Sequence, residues 1–174
     1  ADLFVNRITN FNPVTADNLK KMTNNITSVT ENILPGEKID CVVYGCTSGT
    51  IVSGYDSIKK KINIAKPDAL VTAPSTAALN ALKKKNIKKI SIVTPYIKSV
   101  NDDVVNFFKK NHFKISSNTY FDIESDVDIG KVDQDQLFEI LSKIDHKDAE
   151  ALFVSCTSLP VLNIIEKLEK KLSM

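Results

Sequence analysis

Two cysteines with matching neighbours carry the most informative chemistry in this chain. The segment Ile39-Asp40-Cys41-Val42-Val43-Tyr44-Gly45-Cys46-Thr47-Ser48 lines up with Ala149-Glu150-Ala151-Leu152-Phe153-Val154-Ser155-Cys156-Thr157-Ser158. Each copy reads as an acidic residue, an apolar strand, a small residue, Cys-Thr-Ser and then a helix. Cys46 and Cys156 thus fall just past the carboxyl end of a strand, the edge at which open α/β sheets bind ligands. A cysteine ahead of a helix meets unpaired N–H groups and the positive end of the helix dipole. Both favour the thiolate, the nucleophilic and basic form. The Thr and Ser that follow can cap the helix or donate hydrogen bonds to a bound carboxylate. A strand-to-helix turn with a small buried residue would explain either copy alone. Duplication of the cysteine itself favours a site with a thiol on each wall.

The elements that must position these thiols follow from periodicity. Leu3 to Ile8 reads as a strand, and Thr15 can cap a helix whose apolar residues Leu19, Met22, Ile26, Val29 and Ile33 step by three and four. Leu34-Pro35-Gly36 ends it. Cys41 to Tyr44 is a short apolar run, as expected for a parallel strand covered on both faces. A helix over about 51–61, a strand over 69–72 and a helix over about 75–85 complete a first half. In the second half, strands are predicted at 90–93, 114–120 and 151–154. Ser99 is read as a helix cap with Asp102 and Asp103 in the first turn, Asp133 as another, and Pro160 as lying near the start of a final helix through Leu162, Ile165, Leu168 and Leu172. Strands alternating with helices imply an α/β fold with two pseudo-symmetric lobes, 1–87 and 88–174, each a mostly parallel sheet flanked by helices, with the site in the cleft between them. Cys46 follows the second strand of its half and Cys156 the third. If the halves are equivalent, the chain is an excerpt that lacks a strand and helix at either end of the full fold.

Bulk composition narrows the function. The 174 residues are 43% hydrophobic and 25% charged, with a formal net charge of +2, as in an ordinary soluble globular domain. No apolar run approaches the roughly 20 residues needed to cross a bilayer, and no signal-peptide pattern opens the chain. The near-balance of charge gives no footprint for nucleic acid. Three cysteines do not make a disulfide framework, and the odd count suits a reducing, cytoplasmic compartment. Arg7 is the single arginine, so an anion site would be built from backbone N–H groups and hydroxyls.

Gly45-Cys46-Thr47-Ser48-Gly49-Thr50, then Val93-Thr94-Pro95-Tyr96 with Val100-Asn101, then Ser155-Cys156-Thr157-Ser158 resemble the aspartate/glutamate racemase superfamily. The closest branch is that of the maleate cis-trans isomerases, ectoine-utilization racemase-like proteins and arylmalonate decarboxylases. The resemblance implies a cofactor-independent enzyme, with no metal, acting on a small carboxylate through Cys46 and Cys156. Thr47, Ser48, Tyr96 and Thr157 match the positions that would cradle a carboxylate as charge develops on it. Asp126 lies near where the isomerases place an asparagine against substrate. A carboxylate there departs from that pattern and would repel a dicarboxylate unless protonated, which leaves open a different acid, an acid carrying an amine, or a solvated acidic loop with no contact to substrate. Two cysteines fit a racemase or a cis-trans isomerase better than a decarboxylase, which keeps only the second. A homo-oligomer is compatible with the resemblance. A non-catalytic small-molecule receptor is the alternative from another class, and it needs no paired thiols.

Other candidates are set aside. Cys41, five residues before Cys46 on a strand, points to the opposite face and reads as a small core residue. His112 and His146 read as surface residues at helix ends. No Cys-x-x-Cys or His-x-x-x-His spacing supports a metal, and the glycines do not form a phosphate loop. The lysine runs at 59–61, 83–85 and 167–171 read as helix surface.

Overall fold

The computed structural model describes residues 2–146 and 148–174. Thr15 caps α1 (Ala16–Met22), its hydroxyl accepting the Asn18 N–H at 3.3 Å. A 3-10 turn over Thr23–Asn25 leads into α2 (Ile26–Glu31), and Leu19, Met22 and Ile26 are all buried. Positive φ angles at Leu34 and Gly36 turn the chain toward β1 (Cys41–Val43). Next come α3 (Thr47–Ser53) and α4 (Tyr55–Ala65). The single helix expected over about 51–61 is therefore two. Gly54, at φ 81°, holds a backbone conformation that no helix can pass through and that glycine adopts without strain. β2 (Leu70–Thr72) pairs parallel with β1, and α5 (Pro74–Lys84) starts on its proline.

The second half builds β3 (Lys89–Thr94), α6 (Lys98–Lys110), β4 (Lys114–Tyr120), α7 (Asp126–Gly130), α8 (Gln134–Lys143), β5 (Ala151–Val154) and α9 (Ile165–Leu172). Its sheet has the order β4-β3-β5, all parallel. The central strand takes a neighbour on each side, and Ile90, Ile92 and Val93 have no exposed surface. Asp133 caps α8 by accepting the N–H groups of Asp135 and Gln136. The acidic residue ahead of β5 also has a physical role. The Glu150 carboxylate accepts the backbone N–H groups of Lys88 and Lys89 at 2.6 and 2.8 Å, tying the start of β5 to that of β3. The architecture is thus α/β, with parallel sheets flanked by helices. Among the described residues no helix is long and apolar enough to cross a membrane.

Several expectations fail locally. Leu3 to Ile8 forms no strand: with no partner strand beside it, Leu3 and Val5 stay 87% and 81% exposed. Cys41 is not a core residue. One face of β1 is uncovered, so Cys41 and Val43 are exposed while Val42, between them, is buried. β5, an edge strand, is half-buried along its length rather than buried. Ser99 does not cap α6; Ile97 occupies that position, which moves Asp102 past the first turn to pair with Lys98 at 2.6 Å. His146 is buried, with Nε2 2.9 Å from the Leu141 carbonyl, whereas His112 does lie exposed at the end of α6.

Candidate active site

β1 delivers Cys46. The Tyr44 N–H donates to the Thr72 carbonyl at 3.0 Å, which carries the β1–β2 pairing one residue further. The chain then turns through Gly45, and Cys46 becomes the N-cap of α3. Its Sγ accepts the Gly49 N–H at 3.3 Å and lies 3.9 Å from Ser48 Oγ. Its carbonyl accepts the Thr50 N–H at 3.2 Å and the Thr50 hydroxyl at 2.6 Å. Glycine is required at position 49: a Cβ there would stand 2.9 Å from Cys46 Sγ and 3.0 Å from both Tyr44 Oη and Met22 Cε.

β5 delivers Cys156, but the repeat breaks at this point. The Ser155 N–H donates to the Val93 carbonyl at 2.8 Å, and Cys156 then adopts φ 85°. A turn follows, and helical structure resumes only at Leu162. The residue equivalent to Thr50 is Pro160. It has no N–H to donate to the Cys156 carbonyl, so the first i→i−4 bond of a helix begun there, which Thr50 makes to Cys46, cannot form. The expectation that both cysteines precede a helix therefore holds for Cys46 and is corrected for Cys156.

The two loops meet. Thr157 Oγ1 donates to the Gly45 carbonyl at 2.8 Å, closing one loop onto the other. Cys46, Thr47, Ser48, Tyr96, Asp126, Cys156 and Thr157 all line one cavity of about 150 Å³. Every site residue expected from the sequence is thus at this cavity. The Thr157 hydroxyl proton, however, is committed to Gly45, which makes it a clasp between the loops. Tyr96, just past β3, is 1% exposed. The Ser155 hydroxyl donates to its phenol oxygen at 3.3 Å, and the Ser48 hydroxyl also reaches it. The phenol proton is thereby left for Cys156, toward which Tyr96 acts as a donor.

Burial pushes both site thiols above the ordinary range. At Cys46 the Gly49 N–H and the Ser48 hydroxyl oppose that rise, while the charges of Cys156 and Asp126 add to it. At Cys156 the opposing donors are the Ser158 N–H, the Tyr96 hydroxyl and the Leu159 N–H, and Asp126 again adds to the rise. The expected preference for thiolate is therefore reversed, because desolvation outweighs the donors. The resting site holds two thiols, and ionising either one draws on donors already in place. Burial likewise pushes the Tyr96 phenol well above the tyrosine range, so it serves as a neutral donor.

Asp126 opens α7, capped by Ser125. Its carboxylate accepts the Ser158 hydroxyl at 3.1 Å, and its N–H donates to Asn12 Oδ1 at 3.1 Å. It is the one charged side chain on the cavity wall. The remaining wall was not anticipated from the sequence: Ile8, Asn10, Val14, Leu19 and Met22 come from the first residues and α1. The clue was the pair of asparagines before Pro13, of which Asn12 holds α7 while the Val14 N–H donates to Glu124 O at 2.8 Å. A larger cavity of about 320 Å³ between β5 and α9 is lined mostly by apolar side chains, with Glu169 as its charged residue. Among the described residues no three His, Cys, Asp or Glu side chains gather as metal ligands would.

A cavity wall without a basic side chain among the described residues, with a thiol on each loop and a phenol beside Cys156, can add sulfur to, or move a proton at, a carbon next to a carboxylate. Known proteins share the fold. The chain is 24% identical over 170 residues to a maleate isomerase of Geobacillus stearothermophilus, spanning 92% of this chain and 67% of that protein. The maleate cis-trans isomerase of Nocardia farcinica, solved with TRIS bound, superposes with a TM-score of 0.86 at 19% identity, covering 97% of this chain and 71% of that one. A cysteine-to-serine variant of the Nocardia enzyme, carrying a covalently bound succinylcysteine intermediate, matches with a TM-score of 0.86 at 18% identity over the same shares. The family model for arylmalonate decarboxylase matches residues 49–174, a span that takes in Tyr96, Asp126 and Cys156 and begins three residues after Cys46. The chain belongs to the arylmalonate decarboxylase family.

Proposed function

We propose that the protein is a cofactor-independent, cysteine-dependent cis-trans isomerase of small unsaturated dicarboxylic acids such as maleate. The observation that carries this reading is the convergence of Cys46, Cys156 and Tyr96 on one cavity whose wall holds no cation. A decarboxylase of this fold needs one thiol; a second thiol on the facing loop supports chemistry that uses both. The succinylcysteine found in the Nocardia variant supports addition of sulfur to the alkene over abstraction of a proton.

In this reading the Cys46 thiol first gives its proton to solvent, the thiolate attacks one alkene carbon and forms a C–S bond, and the proton returns to the sulfur once the product has been expelled. The π electrons move onto the adjacent carboxylate as an enediolate. The former double bond is then single and rotates. Return of the electron pair re-forms the alkene in the trans geometry and expels the thiolate, so the cycle consumes nothing. As charge develops, the oxyanion is a stronger acceptor than the neutral Cys156 sulfur, so the Tyr96 hydroxyl turns to it and joins the N–H groups of the two cysteine loops, donors that carry no charge. Cys156, with Tyr96 beside it, stands ready to lend a proton to the enediolate carbon and take it back. Asp126, whose carboxylate accepts the Ser158 hydroxyl, opposes any carboxylate placed beside it, so both carboxylates of the substrate lie on the side of the cavity away from it.

Proton NMR of maleate incubated with the full-length protein in deuterated water tests this directly. The olefinic signal of maleate should be replaced by that of fumarate. Unchanged maleate, together with deuterium entering the α position of a chiral acid or carbon dioxide released from a malonate, would replace the proposal with racemisation or decarboxylation.

A further inference from the structure

Tyr44 is a buried phenol that the proposed chemistry does not use. It is 7% exposed, and its hydroxyl oxygen has no hydrogen-bond partner among the described residues. An unpartnered buried hydroxyl destabilises the fold, so phenylalanine would suit this place better if packing were its whole purpose. Its surroundings say what it waits for. A Cβ built on Gly49 would lie 3.0 Å from Tyr44 Oη and 2.9 Å from Cys46 Sγ, so the phenol oxygen and the sulfur flank the same small gap over Gly49. The backbone fixes the pair as well, because the Cys46 N–H donates to the Tyr44 carbonyl at 2.9 Å.

We propose that the Tyr44 hydroxyl is a positioning donor for Cys46, idle while the sulfur is a thiol and recruited when it becomes a thiolate. A neutral thiol is a poor acceptor, whereas a thiolate is a strong one; the phenol has no competing acceptor within reach. Tyr44 keeps its proton throughout, since burial pushes its phenol well above the tyrosine range. The Gly49 N–H then holds the sulfur from the helix side and Tyr44 from the strand side. A methyl at position 49 would fill the gap that separates the sulfur from the phenol oxygen. The inference rests on Cys46 as the reacting thiol, and its test is independent of turnover.

The experiment is the pH dependence of iodoacetamide labelling, read peptide by peptide by mass spectrometry, in wild type and Tyr44→Phe. The Cys46 profile of the variant should move to higher pH, with about tenfold less thiolate at a given pH, as loss of a hydrogen bond to a charged group implies. The Cys156 profile should stay in place as an internal control. The melting temperature should hold or rise, because the hydroxyl removed had no partner. An unmoved Cys46 profile would overturn the proposal and return Tyr44 to packing. A variant that melts lower would do the same, by showing that the hydroxyl already holds the resting fold together. Neither result would touch the role of Cys46, which stands or falls on turnover by its own alanine variant.

Discussion

Cys46→Ala is expected to abolish isomerisation outright, and Cys156→Ala to lower it by about 10²–10⁴-fold, the range for loss of a group that moves a proton in the transition state. The difference follows from what each sulfur touches. Cys46 accepts the Gly49 N–H at 3.3 Å with Ser48 nearby, donors that a thiolate needs if it is to attack carbon. Cys156 has the Tyr96 phenol as its partner and Asp126 as an opposing charge, a setting suited to holding and lending a proton. Both alanine variants should fold, because each cysteine side chain borders the cavity and is not enclosed in the packed core. Steady-state turnover alongside a thermal melt checks this. Equal, complete loss in both variants would point instead to racemase chemistry, in which each thiol serves one face of the substrate.

The second large effect belongs to Tyr96. Tyr96→Phe is expected to cut turnover by about 10²–10³-fold, as removal of one oxyanion donor does. Stability should fall by only about 1 kcal/mol, through the Ser155 hydroxyl that loses its acceptor. The variant keeps the ring that fills this 1% exposed position, so packing is unchanged. A kcat that falls while KM holds would assign the phenol to the transition state. An unchanged kcat would leave Tyr96 as a core residue beside Ser155.

Much of this was legible in the residue order, and the failures have physical causes. The self-match located both cysteines and the strand ends that present them, because a buried strand needs a short apolar run and a ligand edge needs small polar residues after it. It could not report that Pro160 replaces an N–H donor, although the proline stood in plain view; the helix behind Cys46 therefore has no counterpart behind Cys156. The expected depression of the thiol pKa values failed because burial, a property of the assembled cavity, outweighs the local donors. Cys41 was misplaced because an apolar triplet does not reveal whether one face of its sheet is covered. The wall built from Ile8, Asn10, Val14, Leu19 and Met22 depends on contacts with residues more than a hundred positions away, such as Asn12 with Asp126, which periodicity cannot register. Tyr44 was read as the end of a strand, and its lack of a partner became visible only once its neighbours were in place.

Covalent capture tests the central claim most directly. Full-length Cys156→Ala, incubated with maleate, quenched in acid and digested, should show the mass of one substrate molecule on the peptide that carries Cys46. The same treatment of Cys46→Ala should leave every peptide unmodified, the exposed Cys41 included. An adduct confined to Cys41, or none on any cysteine while wild-type protein still converts maleate to fumarate, would contradict addition by Cys46.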